Sequence, residues 1–220
     1  MVKILKITIL TILGIVIILA GFYYFLSKKT ENTAITIPGI LPTQKTSSFS
    51  LVNAPSESLK GEISTMSGQI LWQSRVATEE AQISSPQLIQ QGEKLETGKN
   101  SALVLKYDGI VKVTFSPETA IDIIQTLPSN LVFSQDSGSA EYKNLGSTSV
   151  VSVRALSLLV QNSGDISVSI NPQRPIVTLV VKSGIATVAY NSLGFVSHEF
   201  TIPAGRTYTF NDHTRTGVLR

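Results

Sequence analysis

The chain has no cysteine. That removes disulfides, thiolate nucleophiles and zinc–thiolate sites together. It does not fix the compartment, because 220 residues can bury a sufficient core without covalent staples. Histidine is nearly absent too. Only His198 and His213 could act as imidazole bases or ligands. His198 adjoins Glu199 in a strand-like stretch, where neighbours point to opposite faces and cannot pair, and His213 sits in a polar tail. Surface positions are expected for both. The charge balance of 18 basic against 15 acidic residues is also thin. Lys3, Lys6, Lys28 and Lys29 all flank one apolar run, and setting those four aside leaves 14 basic against 15 acidic. The remaining charges are scattered singly, without the basic stripe a nucleic-acid surface needs, so no nucleic-acid partner is expected.

The apolar run spans residues 7–26, 20 residues without a charge. As a helix it would extend about 30 Å, the thickness of the bilayer's hydrocarbon core. Phe22, Tyr23, Tyr24 and Phe25 fall at its far end, where aromatic side chains meet headgroups. A signal-peptidase cut after Ala20 would put Ile18 at the other small-residue position, and the apolar run continues past it, which favours an uncleaved anchor. Residues 1–26 therefore read as a short tail and a single-pass transmembrane helix. The N-terminus is expected inside and the bulk of the chain outside the cytoplasm, with the lipid bilayer as first partner. Residues 27–58, with Pro38, Pro42 and Pro55 among many Ser and Thr, read as a linker, with the more apolar 34–41 as a sticky juxtamembrane piece or a docking strand.

Residues 59–220 carry the pattern of an all-β domain: closely spaced short strands, expected to be antiparallel, in a sandwich, barrel or short β-solenoid, with no amphipathic helix of convincing length. Leu103, Leu105 and Tyr107 alternate with polar or small residues, as do Val111, Val113 and Phe115 after Asp108-Gly109. That dipeptide predicts a two-residue type I′ hairpin loop. Ile70 and Trp72 share one face, and Ile121 and Ile123 are expected inward. The apolar run 150–160 slips its alternation at Ala155-Leu156, which predicts two strands or a bulge. A turn is expected at Asp136-Ser137-Gly138. A glycine echo, Ser67-Gly68 with Gln91-Gly92 and Ser183-Gly184 with Ala204-Gly205, suggests either two related halves or the recurrence of ordinary turns.

The order of these elements resembles the extracytoplasmic domain of the FecR family. The matching residues are Gly68, the turn Gln91-Gly92-Glu93-Lys94-Leu95-Glu96-Thr97-Gly98, the small-residue strand start Ser101-Ala102-Leu103, Asp108-Gly109, Pro117-Glu118-Thr119, Gly184-Ile185-Ala186-Thr187-Val188 and Ala204-Gly205. The resemblance covers roughly residues 60–210. The family's usual Gly-Thr before a later strand is missing, with Gly164-Asp165 the nearest equivalent. Only six residues precede the apolar run, too few for the cytoplasmic anti-sigma segment of the family's regulators. The resemblance therefore implies a fold and a location, and no catalytic residue or cofactor.

Enzyme chemistry finds little purchase. No G-x-S-x-G elbow is present. A Ser–Lys dyad would draw on Lys106, Lys112 or Lys182, which read better as solvated strand lysines. Asp136-Ser137-Gly138 matches the short aspartic-protease signature, but Gln135 stands where such proteins place an apolar strand, and the turn reading outweighs it. Trp72 and Arg75 could form a recognition patch, with a core role favoured for Trp72. No His–carboxylate cluster has metal-ligand spacing, although calcium held by backbone carbonyls would leave no such signature. The expectation is a non-catalytic domain, without metal or cofactor, that binds, senses or scaffolds at the cell envelope through another envelope protein or polymer. The alternatives are an envelope hydrolase and a transmembrane signalling regulator acting through a partner.

Overall fold

The computed structural model describes residues 53–220 except Ser147 and Pro172. The expected tail and anchor at 1–26, and the linker as far as residue 52, lie outside the described residues. None of the described residues forms a helix long and apolar enough to cross a membrane.

The strands are β1 (Gly61–Ser67), β2 (Ile70–Gln73), β3 (Ala81–Ile83), β4 (Leu88–Ile89), β5 (Lys94–Thr97), β6 (Ala102–Tyr107), β7 (Val111–Phe115), β8 (Ala120–Leu127), β9 (Asn130–Asn144), β10 (Val150–Ala155), β11 (Leu158–Asn162), β12 (Asp165–Asn171), β13 (Ile176–Ser183), β14 (Ile185–Asn191), β15 (Ser197–Pro203), β16 (Thr207–Asn211) and β17 (Thr216–Leu219). They form two sheets that share β9. Sheet A runs β4-β1-β6-β7-β9-β12-β13-β16-β17. Sheet B runs β3-β2-β5-β8-β9-β10-β11-β14-β15. The central strands bury every second side chain, so Leu103, Leu105, Tyr107, Val111, Val113 and Phe115 meet Ile121, Ile123, Phe133, Val151 and Val153 in one core.

The described residues are thus all-β as expected, with two sheets facing one core, and two corrections follow. β9 and β10 pair in parallel, so the strands are not all antiparallel. Asp136-Ser137-Gly138 is not a chain-reversing turn. It lies inside β9, a continuous strand of 15 residues, at the point where that strand leaves sheet B for sheet A. β9 pairs with β10 up to Gln135 and with β8 up to Ser137, and from Gly138 it pairs with β12 and then β7. The register against β8 skips Asp136, which makes it a bulge residue, the device that bends a strand. Gly138 takes φ +76°, and a Cβ there would lie 2.5 Å from Thr119 Cα.

The Asp108-Gly109 hairpin also departs in detail. Tyr107 and Val111 are the last paired residues, which leaves a three-residue loop, and only Gly109 has positive φ. The Ile110 amide donates to the Tyr107 carbonyl at 3.0 Å, so a four-residue turn does close there, but without the positive φ at Asp108 that type I′ requires. At Ala155-Leu156 the expected break is a tight connection from β10 to β11, with Leu156 at φ +55°.

The corners share one rule. Along the edge that carries Gly138, buried hydroxyls replace the hydrogen bonds that a strand loses on changing sheets. Thr97 Oγ1 donates to the Ser116 carbonyl at 2.6 Å and accepts from the Thr119 amide at 3.0 Å. Thr119 Oγ1 donates to the Ser139 carbonyl and accepts from the Ser139 amide, each at 2.9 Å. Ser101 Oγ accepts from the Gln69 amide at 2.9 Å. These bonds satisfy backbone groups that would otherwise be buried unpaired. After β9 the passages from sheet to sheet move to the opposite edge, where Asn162 Nδ2 donates to the Tyr142 carbonyl at 3.1 Å and Asn162 Oδ1 accepts from the Gly164 amide at 2.9 Å. The four glycines of the echo all stand at such passages. Those at 68, 92 and 184 lead from sheet A to B and that at 205 leads back, so the spacing follows from a repeated corner rule.

Candidate functional site

The outer face of sheet B carries the richest chemistry. Register places Lys94, Asp122, Ser134 and Arg154 side by side across β5, β8, β9 and β10. The β9 bulge turns Asp136 onto the same face, 3.5 Å from Ser134 Oγ and near enough to Asp122 for its charge to act on that carboxyl. Arg154 Nε donates to Ser134 Oγ at 3.2 Å. Lys94 Nζ lies 2.9 Å from Glu80 and 3.5 Å from Glu96. Partial burial, followed by the charge and hydrogen bond of Asp136, raises Asp122 above the ordinary carboxylate range, while Lys94 and Arg154 oppose the shift. The two carboxylates thus stand together on an open sheet face flanked by two cations, not between apolar loops as the Asp136 signature would require.

The stability consequence has a definite sign. The folded state holds the Asp122 proton to higher pH than the unfolded chain does, so stability falls as pH rises from the usual carboxylate value through the folded one. Asp122→Asn removes that penalty. It is expected to raise the unfolding midpoint at pH 7, by no more than about 2 °C given solvent screening, and to give no gain at pH 3. Thermal melts at the two pH values check this.

Further along the same face, in-register Leu159, Ala189 and Glu199 form the floor of a concavity of about 410 Å³. Ala189 is the small residue that opens it, and Leu159 stays 44% exposed beside it. Asn191 and Ser197, joined at 2.8 Å, close one side. Ser157 bounds the other and is held by its hydroxyl and its amide to Asp212 Oδ1, the amide at 3.0 Å. The outer wall is β15, the last strand of sheet B.

The residues singled out from sequence are dispersed. His198 is exposed, at the concavity, and stacks on Tyr190 with ring centroids 5.0 Å apart. His213 lies in the β16–β17 turn, its amide bound to Asn211 Oδ1 at 3.0 Å. Lys106 faces Lys112 and Lys112 faces Lys143 on the outer face of sheet A, with no serine between them, and Lys182 pairs with Glu141. Trp72 packs against the core, and Arg75 Nη1 reaches the Gln91 carbonyl at 2.9 Å as a latch on the β4–β5 connection. No group of three or more His, Asp or Glu suited to a metal ion occurs among the described residues.

Known structures share this fold. Two crystal structures of "a putative anti-sigma factor" from Parabacteroides distasonis, at 2.50 and 1.65 Å, each superpose with a TM-score of 0.50 at 10% identity. Each match covers 58% of this chain and 58% of the other, so the likeness spans little more than half of those proteins. No family model matches the chain, and no curated protein matches it.

Sequence reasoning missed Asp122 and Leu159. Asp122 lay in an isoleucine-rich strand where alternation already turned it outward, and only the bulge at Asp136 supplies its partner. Leu159 was hidden in an apolar run. The FecR-like motif residues Thr97, Ser101 and Thr119 are corner latches, which explains why such a motif would report a fold and not a ligand.

Proposed function

We propose that the chain is a membrane-tethered, non-catalytic binding domain that works outside the cytoplasm and takes an extended segment of an envelope protein along β15. The observation that carries this reading is the free edge beside the concavity. Among the described residues, strand β15 pairs only with β14. The Ser192 amide bonds to the Val196 carbonyl, and the Ala204 amide to the Gly184 carbonyl. Alternation between these points turns the amides of Ser197, Glu199 and Thr201 outward, away from β14. An added strand would meet those groups while one of its side chains enters the space over Ala189. Pro203, which has no amide, ends the run.

The FecR-like order of motifs and the charge-free N-terminal run support the tether and its sidedness. A second reading, a regulator signalling through a partner, draws on the likeness to the anti-sigma-factor structures. Reporter fusions after Arg220 test the location, which requires activity of the reporter that works only outside the cytoplasm. For the edge, a photocrosslinker at Ser197 is expected to give a discrete adduct in intact cells. Thr201→Pro should abolish it while leaving the β14 ladder and the melting temperature nearly unchanged. An adduct indifferent to Thr201→Pro would refute strand addition.

A further inference from the structure

The β14–β15 connection, Ser192-Leu193-Gly194-Phe195-Val196, is the most apolar exposed loop among the described residues. Phe195 is 92% exposed, Leu193 67% and Val196 57%. The loop is held in shape. Ser192 accepts from the Phe195 amide at 3.0 Å on its carbonyl and from the Val196 amide at 3.3 Å on its hydroxyl, and its own amide donates to the Val196 carbonyl at 2.9 Å. Phe195 sits at φ +59°, a costly conformation for a bulky residue, and the closed turn keeps its ring at the tip. From Asn191 to Ser197 there is no charge.

The surroundings are mildly basic. On this edge the loop's neighbours in the later half of the sandwich are residues 155–158, 171–176 and 211–216, while the connections at 98–101 and 116–119, with Lys99 and Glu118, belong to the earlier half. The first three contribute Arg174 and Arg215 against Asp212, whose Oδ1 already accepts from Ser157 and lies 4.0 Å from Arg215. A convex apolar tip of three side chains is too small to form the core of a stable protein interface. It suits a deformable phase whose headgroups are anionic and whose interior is hydrocarbon.

We propose that the loop at 193–196 is a second membrane contact, which inserts Phe195 into the interfacial layer of an anionic bilayer with Arg174 and Arg215 at the headgroups. This rests on the tether reading, since an anchor at residues 7–26 keeps bilayer within reach of the domain at high effective concentration. The loop would then set which edge of the sandwich faces the lipid and leave the free side of β15 beyond it to a partner.

The absence of cysteine makes a clean test. Full-length chain carrying Leu193→Cys with a nitroxide label is placed in nanodiscs of phosphatidylcholine with phosphatidylglycerol, and a second sample carries the label at Ile185→Cys on the opposite edge. Label collision with oxygen and with a water-soluble nickel chelate reports depth. At position 193 oxygen is expected to dominate, at position 185 the chelate. Adding Phe195→Asp should return position 193 to chelate dominance, and discs of phosphatidylcholine alone should move it toward water. Chain that does not enter discs at all overturns the anchor, and this proposal with it. Chain that enters discs with a water-exposed label at position 193 overturns the loop contact alone. Burial at position 193 that persists without anionic lipid and scales with the number of chains per disc also overturns it, by assigning the loop to a second copy.

Discussion

Gly138→Ala is expected to lower the unfolding midpoint by about 5–15 °C, measured by circular dichroism on the purified chain. Two costs combine at that position. The left-handed backbone costs an L-residue roughly 1–2 kcal/mol. The new methyl would lie 2.5 Å from Thr119 Cα, with the Glu118 carbonyl and Thr119 Oγ1 closer still. These neighbours are backbone, or a hydroxyl tied on both sides to Ser139, so they cannot step aside without breaking the corner latch. Overpacking of this kind costs about 1–3 kcal/mol more. At roughly 2–4 °C per kcal/mol for a domain of this size, the sum spans about 4–20 °C, and the stated range is its middle part. Gly109→Ala is the control. Gly109 has φ +65° but nothing within 4 Å of its would-be Cβ, so only the conformational cost applies, and a fall of about 2–8 °C, smaller than that at Gly138, is expected. Equal losses at the two sites would show that steric closure of the corner contributes nothing.

The contrast between these glycines also shows what the amino-acid pattern could and could not convey. Strands with strict alternation were legible because one face is core and the other solvent. Ile166, Val168 and Ile170, or Val177, Leu179 and Val181, announce their inward face by spacing alone. Turn residues were legible as places where the chain changes direction, but their chemistry does not say which direction. Gly109 reverses a strand within sheet A, and Gly138 carries one strand onward into the other sheet. Both read as Asp-x-Gly or Asp-Gly punctuation. The difference lies in Thr119 and Thr97, distant in sequence, whose hydroxyls make a continuing corner possible. The parallel β9–β10 pair was hidden for the same reason, since strand direction depends on the path the chain takes between the two strands, and no local pattern encodes that path. The Asp122–Asp136 pair was half legible, with an outward carboxylate in β8 and a signature tripeptide in β9, and the bulge that brings them together was not.

Gln135→Leu is expected to be the most damaging change of a single polar residue, costing about 3–5 kcal/mol in chemical denaturation. Gln135 is fully buried where β9 crosses between the sheets, and it satisfies three groups at once. Its Nε2 donates to the Gly138 carbonyl at 3.0 Å and to the Val168 carbonyl at 3.1 Å, while its Oε1 accepts from the Tyr142 hydroxyl at 3.1 Å. Burial pushes the Tyr142 hydroxyl well above its ordinary range, so it is a neutral donor at all physiological pH. Leucine fills most of the volume but leaves two carbonyls and a hydroxyl in a dry core, at about 1–3 kcal/mol for each group that finds no new partner. A double-mutant cycle separates this from simple repacking. Tyr142→Phe alone strands the Gln135 oxygen and should cost about 1–2 kcal/mol. In the Gln135→Leu background the same change removes an orphaned hydroxyl, so it should be neutral or stabilising. A coupling of at least about 1 kcal/mol between the two positions is therefore expected. Additive losses would mean that the amide and the phenol act independently, and that the β9 crossing is held by its hydrophobic neighbours Phe133 and Ala140 without this polar bridge.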